Sequence, residues 1–481
     1  MQNNIQLRPY QIDAVNAVNS KSKNGILVLP TSAGKSWCIA NIVNKLVGKT
    51  LILQPNKEIL EQNYAKYCNY GFSASIYSAS LNRKEFSNVV FATIGSVISS
   101  ETLTRVINSE VQEYKSYILI DFFKDVKNII IDECHYVNAK EGMYEGLIKL
   151  IKPEYLIGLT ATPYRMATFG DAITGEKYIT AKMLTRTKPK LFDDLIYICN
   201  PEVLYENGYL TRIIYNQLCE KYNISKIKLN KTGTDFDEVE LLKYNMKMEI
   251  YSNIEKIVLQ KKHKRYLIFC NDISEIDIIK SKLKQHRLKC EGVSSKDTIK
   301  DRTDKINAFK LGEVNVLVNV GVLTTGVDVP ILDCIILAKP TMSIVLYQQI
   351  LGRGTRIHPD KKFCYLYDLC DNVRRFGEIE HYHIKDTGNK KYRLFCKDKP
   401  LTGVNFANKM EDIELNNPYN RITPHKSVVD SKNVYRFMFG QYSGKLITHV
   451  PAYYIKYCAE KFKDGEVKQK CTQELNRRLG K

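Results

Sequence analysis

Eight residues, Leu29-Pro30-Thr31-Ser32-Ala33-Gly34-Lys35-Ser36, constrain this chain more than any other stretch. They follow a short apolar run, 25–29, that predicts a buried strand, and precede a segment, 37–47, whose apolar spacing predicts a helix. Strand, small-residue loop, Lys-Ser and helix together make the arrangement that holds a nucleoside triphosphate. Backbone N–H groups of Pro30–Gly34 and the helix start would face the phosphates, Pro30 itself contributing only shape. Lys35 would set a point charge on the β and γ phosphates, and the Ser36 hydroxyl would ligate Mg²⁺. The full pattern wants glycine where Leu29 stands, and related loops often have glycine in place of Ser32. Taken alone, the octet leaves open a strand–turn–helix with an incidental lysine.

A second signal lies downstream. The run Asn128-Ile129-Ile130-Ile131 predicts a strand and ends in Asp132-Glu133-Cys134-His135. Two adjacent carboxylates at the end of a buried strand are costly unless a cation compensates them. Asp132 would hold Mg²⁺, and Glu133 would orient or deprotonate the attacking water. Upstream, Leu7-Arg8-Pro9-Tyr10-Gln11 starts a Pro-led helix, and the Gln11 amide can both donate to and accept from an adenine edge. Further strands are expected at 50–55, at 89–93 ending in Thr93, and at 156–159 ending in Thr160-Ala161-Thr162-Pro163. Short apolar strands alternating with helical segments predict a parallel sheet covered on both faces, with sites at its C-terminal rim. Residues 101–127 are periodic and partly charged, and predict a helix.

A connector with a basic insertion is expected over 166–250, and then a second βα series begins. Its strands are expected at 266–270, 314–318, 333–338 and 363–367, and its helices at 275–285 and 301–311. This lobe carries no phosphate loop. It offers a hydroxyl-rich turn, Thr324-Thr325-Gly326-Val327-Asp328, and the run Gln349-Ile350-Leu351-Gly352-Arg353-Gly354-Thr355-Arg356. Its two arginines, expected just after a helix, could be presented to a triphosphate on the first lobe, or could simply complement a helix dipole.

Composition narrows the class. The 481 residues allow several domains, and the formal charge of +20 favours a polyanionic partner. No apolar run approaches the ~18 residues of a membrane span, and no signal-peptide pattern is seen, so a cytoplasmic location, in a bacterium or a phage-infected cell, is the default expectation. Thirteen cysteines are scattered without a C-x-x-C pair, so neither a zinc site nor a disulfide framework is expected.

Taken in order, Arg8–Gln11, Gly34-Lys35-Ser36, Asp132–His135, Thr160–Thr162, Gly326–Asp328 and Gln349–Arg356 resemble the motif series of the superfamily 2 helicases and translocases. The likeness extends over 7–370. Gly158–Arg165, Glu206–Thr211 and Asp371–Gly377 are similar to the bacterial RadD helicases and the helicase subunits of restriction systems; the phosphate loop is similar to that of the phage helicase UvsW. The resemblance implies an α/β fold of two tandem RecA-like lobes, 1–165 and 251–375, with parallel sheets and ATP in the cleft, plus a small C-terminal α+β module within 376–481. It implies that Arg8 and Gln11 meet the base, that Gly326 and Asp328 join the ATP site, and that Gln349, Arg353 and Arg356 act with Lys35, Asp132 and Glu133 in hydrolysis. It further implies that His135, Thr160 and Thr162 couple hydrolysis to movement, and that Thr93, Gly95, Thr324 and Thr325 touch nucleic acid. DNA, single-stranded, forked or branched, is the expected partner. In the tail, Phe439–Lys445 predicts a turn before a helix, with Lys456, Lys461, Lys463, Lys468 and Lys470 available to phosphates. Four activities stay open on sequence: a DNA helicase, a duplex translocase that does not separate strands, an RNA helicase, and a scaffold that uses ATP as a switch.

Overall fold

The computed structural model describes residues 6–107, 110–137, 142–170, 177–187, 189–217, 222–230, 235–323, 329–404, 442, 445–461 and 465–479. Its strands run β1 (Asn24–Val28), β2 (Thr50–Gln54), β3 (Ser75–Ser78), β4 (Arg83–Lys84), β5 (Val89–Thr93), β6 (Ile98–Ile107), β7 (Glu110–Leu119), β8 (Asn128–Asp132), β9 (Tyr155–Thr160), β10 (Tyr164–Gly170), β11 (Lys177–Met183) and β12 (Leu195–Ile198). They continue as β13 (Ile213–Gln217), β14 (Tyr266–Cys270), β15 (Cys290–Val293), β16 (Val316–Val320), β17 (Cys334–Leu337), β18 (Cys364–Asp368), β19 (Tyr382–Asp386), β20 (Tyr392–Cys396) and β21 (Lys399–Pro400).

Two sheets organise the chain. The first has the order β12-β1-β9-β8-β2-β5-β3-β4, and the second β13-β18-β17-β14-β16-β15. Every neighbouring pair is parallel except the β3–β4 edge. The central strands are apolar runs because helices cover both faces. Ile129, Ile130 and Ile131 are all buried, as are Leu267, Ile268, Leu317 and Val318. The parallel registers bring the ends of β1, β8 and β9 to one rim, with Val28 beside Thr160 and Asp132 beside Leu159.

Three expectations need correction. Residues 101–127 are not helical. They lie largely in the antiparallel pair β6–β7, in register from Ile98 opposite Leu119 to Ile107 opposite Glu110. Ile98, Thr102, Tyr117 and Ile118 are β-branched or aromatic, a composition that suits a pleated ribbon better than a helix. The segment 166–250 is more than a connector. It supplies β12 to the edge of the first sheet, β13 to the edge of the second, the β10–β11 pair, and helices Pro201–Glu206 and Glu238–Lys247. Those edge strands are only four and five residues long, too short to show a period against the surrounding charges. Finally, the helix carrying Gln349 runs Ile344–Gly354, so Arg353 sits inside it rather than beyond it. Gly354 does not end the helix for want of propensity: a Cβ there would come 2.4 Å from Cys364 Sγ, so glycine is required by close helix–sheet packing.

The small sheet β19-β20-β21 follows the second lobe. Its inner face buries Tyr382, Tyr392, Leu394 and Cys396. It is tied to both lobes. Tyr392 OH donates to Asp194, just ahead of β12, at 2.6 Å, and Lys390 pairs with the same carboxylate. Glu380, just ahead of β19, accepts from the Ile213 N–H of β13 at 2.8 Å.

Residues 404–481, with 167–180, form a separate compact unit. Its described core joins helices Ala452–Lys461 and Gly465–Arg478 through Ile455, Cys458, Val467 and Cys471. Arg478 closes the pair by donating to the Thr448 carbonyl at 2.9 Å. Lys456 and Lys468 are exposed, while Lys463 and most of the 439–445 turn lie outside the described residues. Among the described residues, no helix is long and apolar enough to cross a membrane.

Candidate nucleotide site between two lobes

The phosphate loop leaves the sheet late. Leu29, where glycine was wanted, is fully buried and its N–H still donates to the Thr160 carbonyl at 3.0 Å. Its side chain belongs to the core, which is why an apolar residue fits there. Ser32 adopts φ +70° and Gly34 φ +76°. Left-handed backbone favours glycine, and a serine there costs about 1 kcal/mol. Ser32 recovers a comparable amount by donating its hydroxyl to the Gly352 carbonyl of the second lobe at 3.2 Å. Helix Lys35–Lys45 starts immediately after Gly34, so its first N–H groups open onto the loop.

The base-side motif is folded against that loop. The Arg8 N–H donates to Gln11 Oε1 at 2.9 Å, and Gln11 Nε2 donates to the Ala33 carbonyl at 3.0 Å. Tyr10 OH donates to the same carbonyl at 2.9 Å. A Cβ on Gly34 would lie 2.5 Å from Gln11 Nε2, so this packing also demands glycine. The Arg8 guanidinium lies 4.4 Å over the ring of half-buried Tyr209, which also packs on Tyr10. In the sequence Tyr209 belongs only to the Glu206–Thr211 likeness, and nothing local signals its place beside the base motif.

Asp132, Glu133 and Lys35 form the charged centre. Lys35 Nζ lies 3.0 Å from Glu133 Oε1. Burial disfavours the Lys35 ammonium, but the two carboxylates outweigh it and raise its pKa. Burial, then the neighbouring Glu133 charge, pushes Asp132 up to about 7. Asn63 steadies Asp132 by donating to Oδ2 at 2.9 Å. Burial also opposes ionisation of Glu133, but Lys35 above all, then His135 at 3.3 Å and least the more distant Arg353 guanidinium of the second lobe, outweigh it and hold its carboxyl below the usual range. Glu133 has φ +47°, a turn that breaks β8 and redirects its side chain. Ser36 Oγ lies 3.2 Å from Tyr70 OH.

The donors fit Mg²⁺. A serine hydroxyl and a buried carboxylate are hard oxygen ligands, and Asp132 is held in a setting where a cation would relieve its cost. Among the described residues no group of three or more His, Cys, Asp or Glu gathers to hold a metal.

A polar chain then crosses the cleft. Gln349 Nε2 lies 2.9 Å from His135 Nε2, and His135 Nδ1 lies 2.8 Å from Thr160 Oγ1. With the amide donating, His135 accepts at Nε2 and carries its proton on Nδ1. Thr160 Oγ1 in turn accepts from the Thr162 N–H at 3.0 Å. Burial pushes His135 down to about 4, so the ring is neutral near pH 7. Alongside, Gln348 Nε2 donates to the Ala161 carbonyl at 3.3 Å, and Tyr164 OH donates to Gln348 Oε1. Gly352 touches the phosphate loop itself: a Cβ there would lie 2.5 Å from Thr31 Cβ. Gly352 is part of the Gln349–Arg356 run singled out in the sequence, whereas Gln348 carries no sequence signal beyond proximity to Gln349.

The structure thus brings Lys35, Asp132, Glu133, His135, Thr160, Thr162 and Gln349 together, with the Arg353 guanidinium near enough to act on Glu133 through its charge. Arg353 and Arg356 both line a small apolar pocket of the second lobe with Leu267, Phe309 and Leu317, and the Arg356 carbonyl accepts from Thr211 Oγ1 at 2.8 Å. Thr93 ends β5, with its hydroxyl 3.0 Å from Ser96 Oγ, and Gly95 is exposed with open space about it. Thr324, Thr325, Gly326 and Asp328 lie outside the described residues.

The chain is similar to known proteins. Residues 4–165 match the family described as "Type III restriction enzyme, res subunit", and 249–358 match "Helicase conserved C-terminal domain". A Saccharomyces cerevisiae protein named ATP-dependent helicase IRC3 is 26% identical over 394 residues, covering 76% of this chain and 51% of that protein. The ATP-dependent DNA helicase uvsW of Enterobacteria phage T4 is 22% identical over 379 residues, 76% of this chain and 68% of that one. The fragment structure of a type I restriction enzyme HsdR subunit from Vibrio vulnificus YJ016 superposes with a TM-score of 0.54 at 19% identity, covering 77% of this chain and 66% of that one. The chain spans about half the length of the first relatives it matches.

Proposed function

From a chain that belongs to the superfamily 2 helicases and translocases, with two tandem RecA-like lobes, we propose an ATP-driven motor that moves on or remodels DNA. The observation that carries this reading is the continuous contact between lobes at the nucleotide site. Gly352 lies on Thr31, Gln349 on His135, and Ser32 on the Gly352 carbonyl. A static nucleotide binder has no need of a second lobe seated on its phosphate loop and on the histidine beside its acidic pair.

In this mechanism Lys35 and the loop N–H groups bind the β and γ phosphates, and Arg8 and Gln11 meet the base. Ser36 and Asp132 would hold Mg²⁺, which supplies charge neutralisation at the phosphates. Glu133 orients the attacking water and takes its proton, a role for which its Lys35-stabilised ionised state suits it. Arg353, and Arg356 once its segment swings to the γ-phosphate, offset the charge of phosphoryl transfer. Loss of the γ-phosphate removes their partner, and the lobes part. The Gln349–His135–Thr160–Thr162 chain passes that change to the rim, where Thr93 and Gly95, with Thr324 and Thr325, contact the sugar-phosphate track. Gly326 and Asp328 complete the ATP side. Contacts of this kind are tolerant of base sequence.

Steady-state ATPase with and without single-stranded and duplex DNA tests the proposal. Turnover should rise several-fold with DNA; a rate indifferent to every polynucleotide refutes it. An unwinding panel of forks, overhangs, junctions and RNA duplex then separates helicase from duplex translocase and from RNA helicase. A translocase activity on DNA draws support from a 31% likeness over 162 residues to a protein named DNA 3'-5' translocase XPB2 from Sulfurisphaera tokodaii, covering 34% of this chain and 32% of that protein.

A further inference from the structure

The helix Lys57–Asn69 turns one face to the core through its buried residues Leu60 and Tyr67. Asn63 lies on that face between them, at helical spacing, and Tyr70 caps the helix two turns further on. An asparagine is a poor helix former, and a core-facing stripe calls for an apolar residue there. The partners of Asn63 explain the departure. Its Nδ2 donates to Asp132 Oδ2 at 2.9 Å and to Gln54 Oε1 at 3.0 Å.

Gln54 ends β2 and is itself buried, with its Nε2 unpaired among the described residues. Charge dictates how both amides are turned. An ionised carboxylate only accepts, so Asn63 must present its NH₂ to Asp132, and Gln54 must then present its carbonyl to Asn63. Asp132 Oδ1 accepts from the Glu133 N–H at 2.9 Å. Each oxygen of Asp132 thus has a protein donor and keeps a lone pair for a cation or its water. The same helix end reaches the other hard ligand. Tyr70 OH lies 3.2 Å from Ser36 Oγ, where either oxygen can donate, and the Tyr70 ring meets Trp37 edge-on at 4.3 Å. A hydroxyl that gives a lone pair to a divalent cation holds its proton less tightly and needs an acceptor for it. The Tyr70 oxygen is within reach.

We propose that the helix Lys57–Asn69 and its cap form the outer shell of the Mg²⁺ site. Asn63, held by Gln54, fixes the Asp132 carboxylate, and Tyr70 accepts the Ser36 O–H when that hydroxyl ligates the ion. All three are positioning residues. The inference rests on the motor reading above and deepens its metal site. Partners that orient a metal ligand typically change metal affinity by about 10–100-fold when removed.

The test measures the affinity of the full chain for a non-hydrolysable ATP analogue, in EDTA and across a Mg²⁺ titration. Emission of Trp37, the single tryptophan of the chain, reports binding beside Ser36. Wild type, N63A, Q54L and Y70F are compared. Thermal melts confirm folding, and Y70F, which removes one oxygen, keeps the test open if N63A or Q54L does not fold. The Mg²⁺ concentration at half-maximal tightening is expected to rise about tenfold or more in N63A and Y70F, and less in Q54L. Affinity in EDTA should be unchanged, and high Mg²⁺ should restore full tightening. A residue that merely supports the fold would weaken binding in EDTA as well, and Mg²⁺ would not restore it. Folded variants with the wild-type Mg²⁺ midpoint overturn the proposal while leaving the motor intact. So does an equal loss of affinity in EDTA. A wild type that binds no nucleotide, with or without Mg²⁺, overturns both readings.

Discussion

Gly352→Ala offers a prediction in which stability and turnover move in opposite directions. Gly352 lies inside helix Ile344–Gly354, and no left-handed backbone is involved. By propensity alone, alanine there stabilises the helix by roughly 1 kcal/mol. The added methyl would lie 2.5 Å from Thr31 Cβ, 2.7 Å from Thr31 Cγ2 and 2.8 Å from Thr31 Oγ1. All belong to a short, tightly held loop, so the neighbour cannot step aside freely. Overpacking of this kind costs about 1–3 kcal/mol. The strain falls on the contact between lobes, and separating the lobes relieves it. The fold therefore keeps its stability while the closed arrangement loses roughly five- to 150-fold in population. Thermal melting should be unchanged or slightly raised, nucleotide affinity nearly unchanged, and DNA-stimulated kcat reduced by about tenfold or more. Melting curves, fluorescent-nucleotide binding and steady-state ATPase on one preparation check all three. A variant with wild-type kcat would refute the claim that hydrolysis needs Gly352 seated on Thr31. A variant whose melting point falls with its activity would show the contact to be structural instead.

Other outcomes follow from the same geometry. Glu133→Gln should abolish turnover, by at least about a hundredfold, while retaining ATP, whereas Lys35→Ala should lose both; filter-bound ATP and phosphate release distinguish them. Gln349→Ala removes the donor to His135 and should lower the DNA-stimulated rate more than the DNA-free rate, measured as the ratio of the two. His135 is held at about 4 by burial, below its unfolded value near 6.5. A buried neutral histidine stabilises fully above the unfolded pKa, and that contribution falls as pH drops from 6.5 towards 4, by roughly 3 kcal/mol at most. Urea unfolding at pH 7.5 and 5 should show this loss in wild type and less of it in His135→Gln.

Long apolar strands and motif residues were legible in the sequence because each carries its own local reason. Ile129–Ile131 can only be a doubly covered strand, and Asp132-Glu133 can only follow it at a cost that a cation repays. Partners supplied from afar were not legible. Asn63, Gln348 and Tyr209 meet the site through loops and lobes that no spacing rule connects, although each is ordinary in its own segment. Edge strands β12 and β13 were hidden by their shortness: Leu195–Ile198 and Ile213–Gln217 offer four and five residues, too few to set a period between charged flanks. Ser32 shows the opposite case. It reads as a departure from glycine, yet its hydroxyl reaches Gly352, a partner more than three hundred positions away.

The tie from Asp194 and Glu380 to the β19–β21 sheet has a mechanical consequence. Two bodies joined by a slack thread can drift and twist in any direction, and fuel spent on parting them is largely wasted as random wandering. Here one flank is stapled to both bodies through Tyr392, Lys390 and the Ile213 amide. In the proposed motor that would leave mainly a swing about the stapled side, like a book on its spine, with each cycle opening and shutting along one repeatable arc.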